Sequence, residues 1–297
     1  MLDSAIRELA ASKSATWIVA AFFEKTIQIW DLNSRRRISE FPTVFCAGAR
    51  NLALAPGGEM VVAGASTSQG EVACYELPSG RRIWERKFAY PSWLRFHPSG
   101  QSIVCTENRQ SVIRLDADTG NTLQIIEGTR QYIEGPSGDT LSIPPKNGNS
   151  RFNLIEKGRN FKIDRLGFAV LDAQFSPHFL CLSEARGPVR CISRVDGKLQ
   201  WVFDPGVDKH VLKLHYSPTT EVFYGILGNL QEGGSRLLLR FDATTGMSEE
   251  ICDFPSWDEI FLDSADQLIT SAGEVRSLSN GALVDRLDFP MREYPED

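Results

Sequence analysis

Short runs of apolar residues recur along this chain, each preceded by a polar turn. The runs "MVVAG" (60–64), "SIVCT" (102–106), "FLCLS" (179–183), "VFYGI" (222–226) and "QLITS" (267–271) are apolar on both faces, the mark of a strand covered from two sides. The turns before them share one pattern, as in "LAPGG", "FHPSG", "EGPSG", "FSPHF" and "YSPTT". Their prolines, Pro56, Pro98, Pro136, Pro177 and Pro218, are spaced by 42, 38, 41 and 41 residues. Proline presets the second position of a type I turn, and a following glycine takes the left-handed position that reverses the chain. "LDSADQLITS" (262–271) supplies a sixth such turn without proline, and "LAASKSATWIVA" (9–20) a seventh.

A second family of turns interleaves with the first: "DLNSRRR", "ELPSGRRIW", "DADTGNTLQ", "EKGRNFKI", "RVDGKLQW", "DATTGMSEE" and "SLSNGALVD". Six of these seven carry a glycine, and such turns join antiparallel strands as hairpins. Each unit reads strand a, proline turn, strand b, loop, strand c, glycine turn, strand d. Repeats of this kind and length predict an all-β chain, a seven-bladed β-propeller of four-stranded antiparallel blades. The blades start near residues 4, 49, 91, 130, 169, 211 and 257, within one domain over 1–290, and 291–297 form a polar tail. Two places leave alternatives open. "MLDSAIRELA" fits a short helix capped by Ser4, which would leave the first blade one strand short. Pro144 and Pro145 thin the fourth blade, and a six-blade count stays open.

Trp30-Asp31 in "IQIWDL" and the "FHPSG" and "FSP" turns resemble the WD-repeat superfamily. Gly80 to Trp84 and Gly197 to Trp201 carry the Gly-x-x-x-Trp spacing of quinoprotein-type propellers, in which the tryptophan docks between neighbouring blades. The glycine-histidine dipeptide that opens typical WD repeats is absent from every blade. The resemblance covers the architecture of essentially the whole chain, and propellers host many unrelated functions.

A net charge of −6 argues against nucleic acid as the main partner, because phosphate binding needs a positive surface. The run in "KSATWIVAAFFEK" has mixed-charge flanks and falls far short of the roughly 20 residues of a membrane span, so no membrane role is expected. The six cysteines are scattered without a CxxC pair, which predicts buried thiols and a cytoplasmic setting. Cys181 and Cys191 flank a hairpin symmetrically, which makes a bridge between them conceivable, although two buried thiols are the simpler expectation. No metal, no cofactor and no catalytic residue is expected, since nucleophile elbows, zinc motifs and phosphate loops are all missing.

The candidate site lies where one blade hands over to the next. "FAYPSWLRF" (88–96) and "CDFPSWDEI" (252–260) share aromatic-Pro-Ser-Trp at d-to-a connections. Tyr90, Trp93, Phe254 and Trp257 are residue types that dominate interface energetics, although an aromatic there also suits packing between blades. Asp204, Asp208, Asp253 and Asp258 would make the same rim acidic and complementary to a basic partner. The expectation is a non-catalytic protein-interaction propeller, monomeric on its own, acting as scaffold, adaptor or immunity-type neutralising partner. The alternatives are a propeller enzyme of quinoprotein or hydrolase type, and a small-ligand site in the central channel.

Overall fold

In the computed structural model every strand pairs only with its neighbours in sequence. The described residues are 6–11, 17–22, 26–43, 51–65, 67–68, 70–107, 110–129, 131–135, 140–143, 152–156, 159–163, 170–185, 187–229, 234–256, 260–262, 266–270 and 272–287. Their strands form seven four-stranded antiparallel sheets, each in the order a-b-c-d. The sheets span Ile6–Pro42, Asn51–Phe88, Ser92–Glu127, Gln131–Ile163, Val170–Phe203, His210–Ser256 and Ile260–Arg286. The start of the chain is extended and not helical: Ile6–Ala11 pairs with Trp17–Phe22, so the first sheet supplies all four of its own strands.

Position in the sheet sets burial. The b strands Met60–Gly64 and Ser102–Glu107 are buried almost throughout, whereas the d strands Thr122–Glu127 and Leu283–Arg286 are almost wholly exposed. Apolar clusters join successive sheets face to face. Ile29 and Phe41 meet Leu52 and Val61 between the first and second sheets. Tyr224, Ile226 and Phe254 meet Leu268 and Leu278 between the sixth and seventh. The third and fourth are bridged by an ion pair, Arg114 to Glu134, with the His97 ring 4.0 Å from the same carboxylate. The last sheet returns to the first: Ile269, Val275 and Leu287 share a cluster with Leu9, Trp30 and Leu32. Among the described residues no strand is exchanged at this closure.

One docking device recurs between sheets. Trp84, on a d strand, is buried and donates its indole N–H to the Ala117 carbonyl at 2.7 Å, across the seam to the third sheet. Trp201 does the same to Ala243 at 2.9 Å. Each tryptophan abuts a glycine of the next sheet's c–d turn, Gly120 or Gly246, both at positive φ. A Cβ on Gly246 would stand 2.5 Å from the Trp201 ring. The Gly-x-x-x-Trp spacing therefore performs the docking that its resemblance implies.

Candidate functional site

Antiparallel order a-b-c-d puts the b–c loops and the d-to-a connections on one rim and the two turn families on the other. Tyr90 lies on the first rim, between Phe88 and Ser92. It is 47% exposed, and its backbone is held at φ +48 with its N–H bonded to the Thr67 carbonyl of the neighbouring b–c loop. Positive φ is unusual for a bulky residue, and strain of this kind concentrates where surrounding structure fixes a side chain's direction. Asp204 and Asp208 lie on the connection from Phe203 to His210, both exposed. The Asp204 carboxylate accepts the Gly206 N–H at 2.9 Å. Neither aspartate has an ion-pair partner among the described residues. Asp208 also takes positive φ, while His210, two residues on, is buried, so the two do not act together as an exposed acid-base pair.

Two other candidates turn inward. Phe254 is 2% exposed and packs between the sixth and seventh sheets, because its strand runs on to Ser256 and carries the ring into the seam. It has no free surface to offer a partner. Trp93 is half-buried at φ +56 and reaches the apolar cluster that joins the fourth and fifth sheets. The Arg95 guanidinium stacks on it, 4.6 Å from the ring centroid. Trp257 and Asp258 lie outside the described residues.

Arg95 continues inward to pair with the buried Asp172 of the fifth sheet at 2.9 Å, so the third sheet's inner strand is tied past the fourth. The other Asp172 oxygen accepts the Leu214 N–H of the sixth sheet at 2.8 Å. Nearby, burial pushes the His215 imidazole down to about 4, against the opposing pull of Asp266 and Asp172. This inner polar network was not legible in the sequence, since nothing in the repeat tells which inner-strand residues face one another across sheets.

Sequence reasoning also missed a concave part of the rim. A shallow cleft of about 270 Å³ opens between the b–c loop and the d-to-a connection of the fifth sheet. Gly187, Pro188, Val202, Asp204, Pro205 and Gly206 line it. Val202 is 49% exposed at its edge and Val207 89% exposed just beyond. Among the described residues no three His, Cys, Asp or Glu side chains gather to hold a metal ion. Cys181 and Cys191 stand directly opposite in register as free, buried thiols, and burial drives both up, Cys191 to about 12.

The closed series of sheets, the docked tryptophans and the comparisons below agree. In fold, the chain is an all-β propeller of four-stranded antiparallel blades. The propeller's residues 47–126 match the family model described as outer membrane protein assembly factor BamB (PQQ_2). Among solved structures it is similar to U3-55K at 12% identity and a TM-score of 0.71, covering 90% of this chain and 88% of that one. It is also similar to the Cps50 (Swd1) β-propeller domain of Myceliophteria thermophila, at 12% identity and a TM-score of 0.70, covering 95% and 96%. No curated protein matches the sequence significantly. At such identities the likeness speaks to fold alone.

Proposed function

We propose that the seven sheets are the blades of one ring, and that the protein is a non-catalytic interaction module, a cytoplasmic scaffold, adaptor or neutralising partner. It docks another protein of basic surface on the rim of d-to-a connections and b–c loops. The observation that carries this reading is the company of residues there. Val202 and Val207 are exposed beside Asp204 and Asp208, which have no ion-pair partner among the described residues, and Tyr90 is exposed on the same rim three sheets away. Apolar side chains beside uncompensated charge are what a complementary partner covers, the charge setting orientation and on-rate. Affinity capture on the immobilised chain, followed by mass spectrometry, tests it. A stoichiometric partner should be retained by the wild type and lost from Tyr90→Ala combined with Asp208→Lys. Equal retention by both would move docking off this rim.

The second reading is a propeller enzyme of quinoprotein or hydrolase type. The Trp84 and Trp201 docking motivates it, and the family match over 47–126 leaves it open. A metal or absorbing cofactor that copurifies with the chain would carry this reading instead.

A further inference from the structure

The cleft on the fifth sheet brings apolar walls and an acid together on the rim. Its volume of about 270 Å³ lies below the roughly 300–1,000 Å³ of sites that engulf a small molecule, so it suits one or two side chains of a larger partner. Pro188, Pro205 and Val202 give the walls. Asp204 gives the charge, and with one oxygen taken by the Gly206 N–H the other has no partner among the described residues. Asp208 adds a second exposed acid on the same connection, against one exposed cation, Lys209. A proline-walled acid excludes anions and leaves neutral aliphatic groups with only part of the cleft satisfied.

From this geometry we infer that the cleft receives a cationic side chain of a partner segment, an arginine flanked by an aliphatic residue. The guanidinium pairs with Asp204 while the aliphatic neighbour covers Val202 and the proline rings. Arginine fits better than lysine because its planar, weakly hydrated head lies flat along apolar walls and presents several donors. This rests on the rim-docking reading and names the chemistry that the rim selects.

The test is a two-dimensional ¹⁵N–¹H NMR titration of the full chain with acetyl-Leu-Arg-Leu-amide, its citrulline analogue and its glutamate analogue. Saturable shifts of the Gly187, Val202 and Gly206 amides with the arginine peptide are expected. The uncharged citrulline peptide should bind about tenfold more weakly, the size of one charge-assisted hydrogen bond. Asp204→Asn, which keeps an acceptor for the Gly206 N–H, should produce the same loss, and added salt should weaken the arginine peptide alone. Equal binding of the arginine and citrulline peptides, or an unchanged Asp204→Asn titration, would overturn the assignment. Shifts confined to the Tyr90 connection would overturn the cleft and leave rim docking standing. No shift with any peptide would also overturn the cleft, and the capture experiment would then judge the rim by itself.

Discussion

His215 shows how one residue ties the interior to solution conditions. Its ring sits on the inner strand of the sixth sheet, beside Asp266 and Asp172, and its Nε2 has no hydrogen-bond partner among the described residues. Burial outweighs the two carboxylates and holds its pKa near 4, against an ordinary 6.5. Between those values the unfolded chain binds the proton and the folded one does not, so stability rises with pH across that window. Denaturant unfolding should therefore show full stability above about pH 6.5 and a decline toward pH 4, and His215→Asn should flatten that decline. An unchanged pH profile in His215→Asn would place the titrating group elsewhere. At this scale the sequence was a mixed guide. Tyr90, Asp204 and Asp208 are exposed on the rim, as their turn-like neighbourhoods suggest. Phe254 looks equivalent to Tyr90 in "DFPSW" and "AYPSW", yet it is core. The difference lies in how far each d strand extends, which side-chain type does not encode.

Elements are locked together by a few special contacts between a d strand and the next c–d turn. Gly246 is required twice over, by φ +72 and by the Trp201 ring against it. Gly128, at φ +64 with nothing within 4 Å of a would-be Cβ, is required only by its backbone. Gly246→Ala should cost about 2–5 kcal/mol, the left-handed penalty plus overpacking, and Gly128→Ala about 1–2 kcal/mol. Chemical denaturation of the two variants separates these contributions, and equal losses would show that the tryptophan gives way freely. Most of this level was readable in advance: turn chemistry marks each hairpin, and the seven sheets begin within three residues of the repeat boundaries. The residues that take the left-handed position without glycine, Arg35, Glu221 and Asp266 in turns and Tyr90, Trp93 and Asp208 on the rim, were not readable, because no glycine marks the position.

Across the whole molecule, the seam between the seventh and first sheets differs from the tryptophan-docked ones. Asp285 follows Gly281 at the interval at which Trp84 follows Gly80, and it meets Arg35 at 3.1 Å in a turn that lacks glycine. An exposed pair of this kind contributes about 0–1 kcal/mol, so closure rests mainly on the cluster around Trp30. Because all seven sheets are complete in themselves, the order in which they are threaded carries no hydrogen-bonded information. Leu9 and Leu287 already share one apolar cluster, so a linker can join the last sheet to the first. A circular permutant opened at the exposed Gly128 should then give the parent's far-ultraviolet spectrum and a single cooperative melt. If it aggregated or melted in stages, a hidden hierarchy among the sheets would be at work. If it folded, the polypeptide would be a necklace whose clasp can be moved.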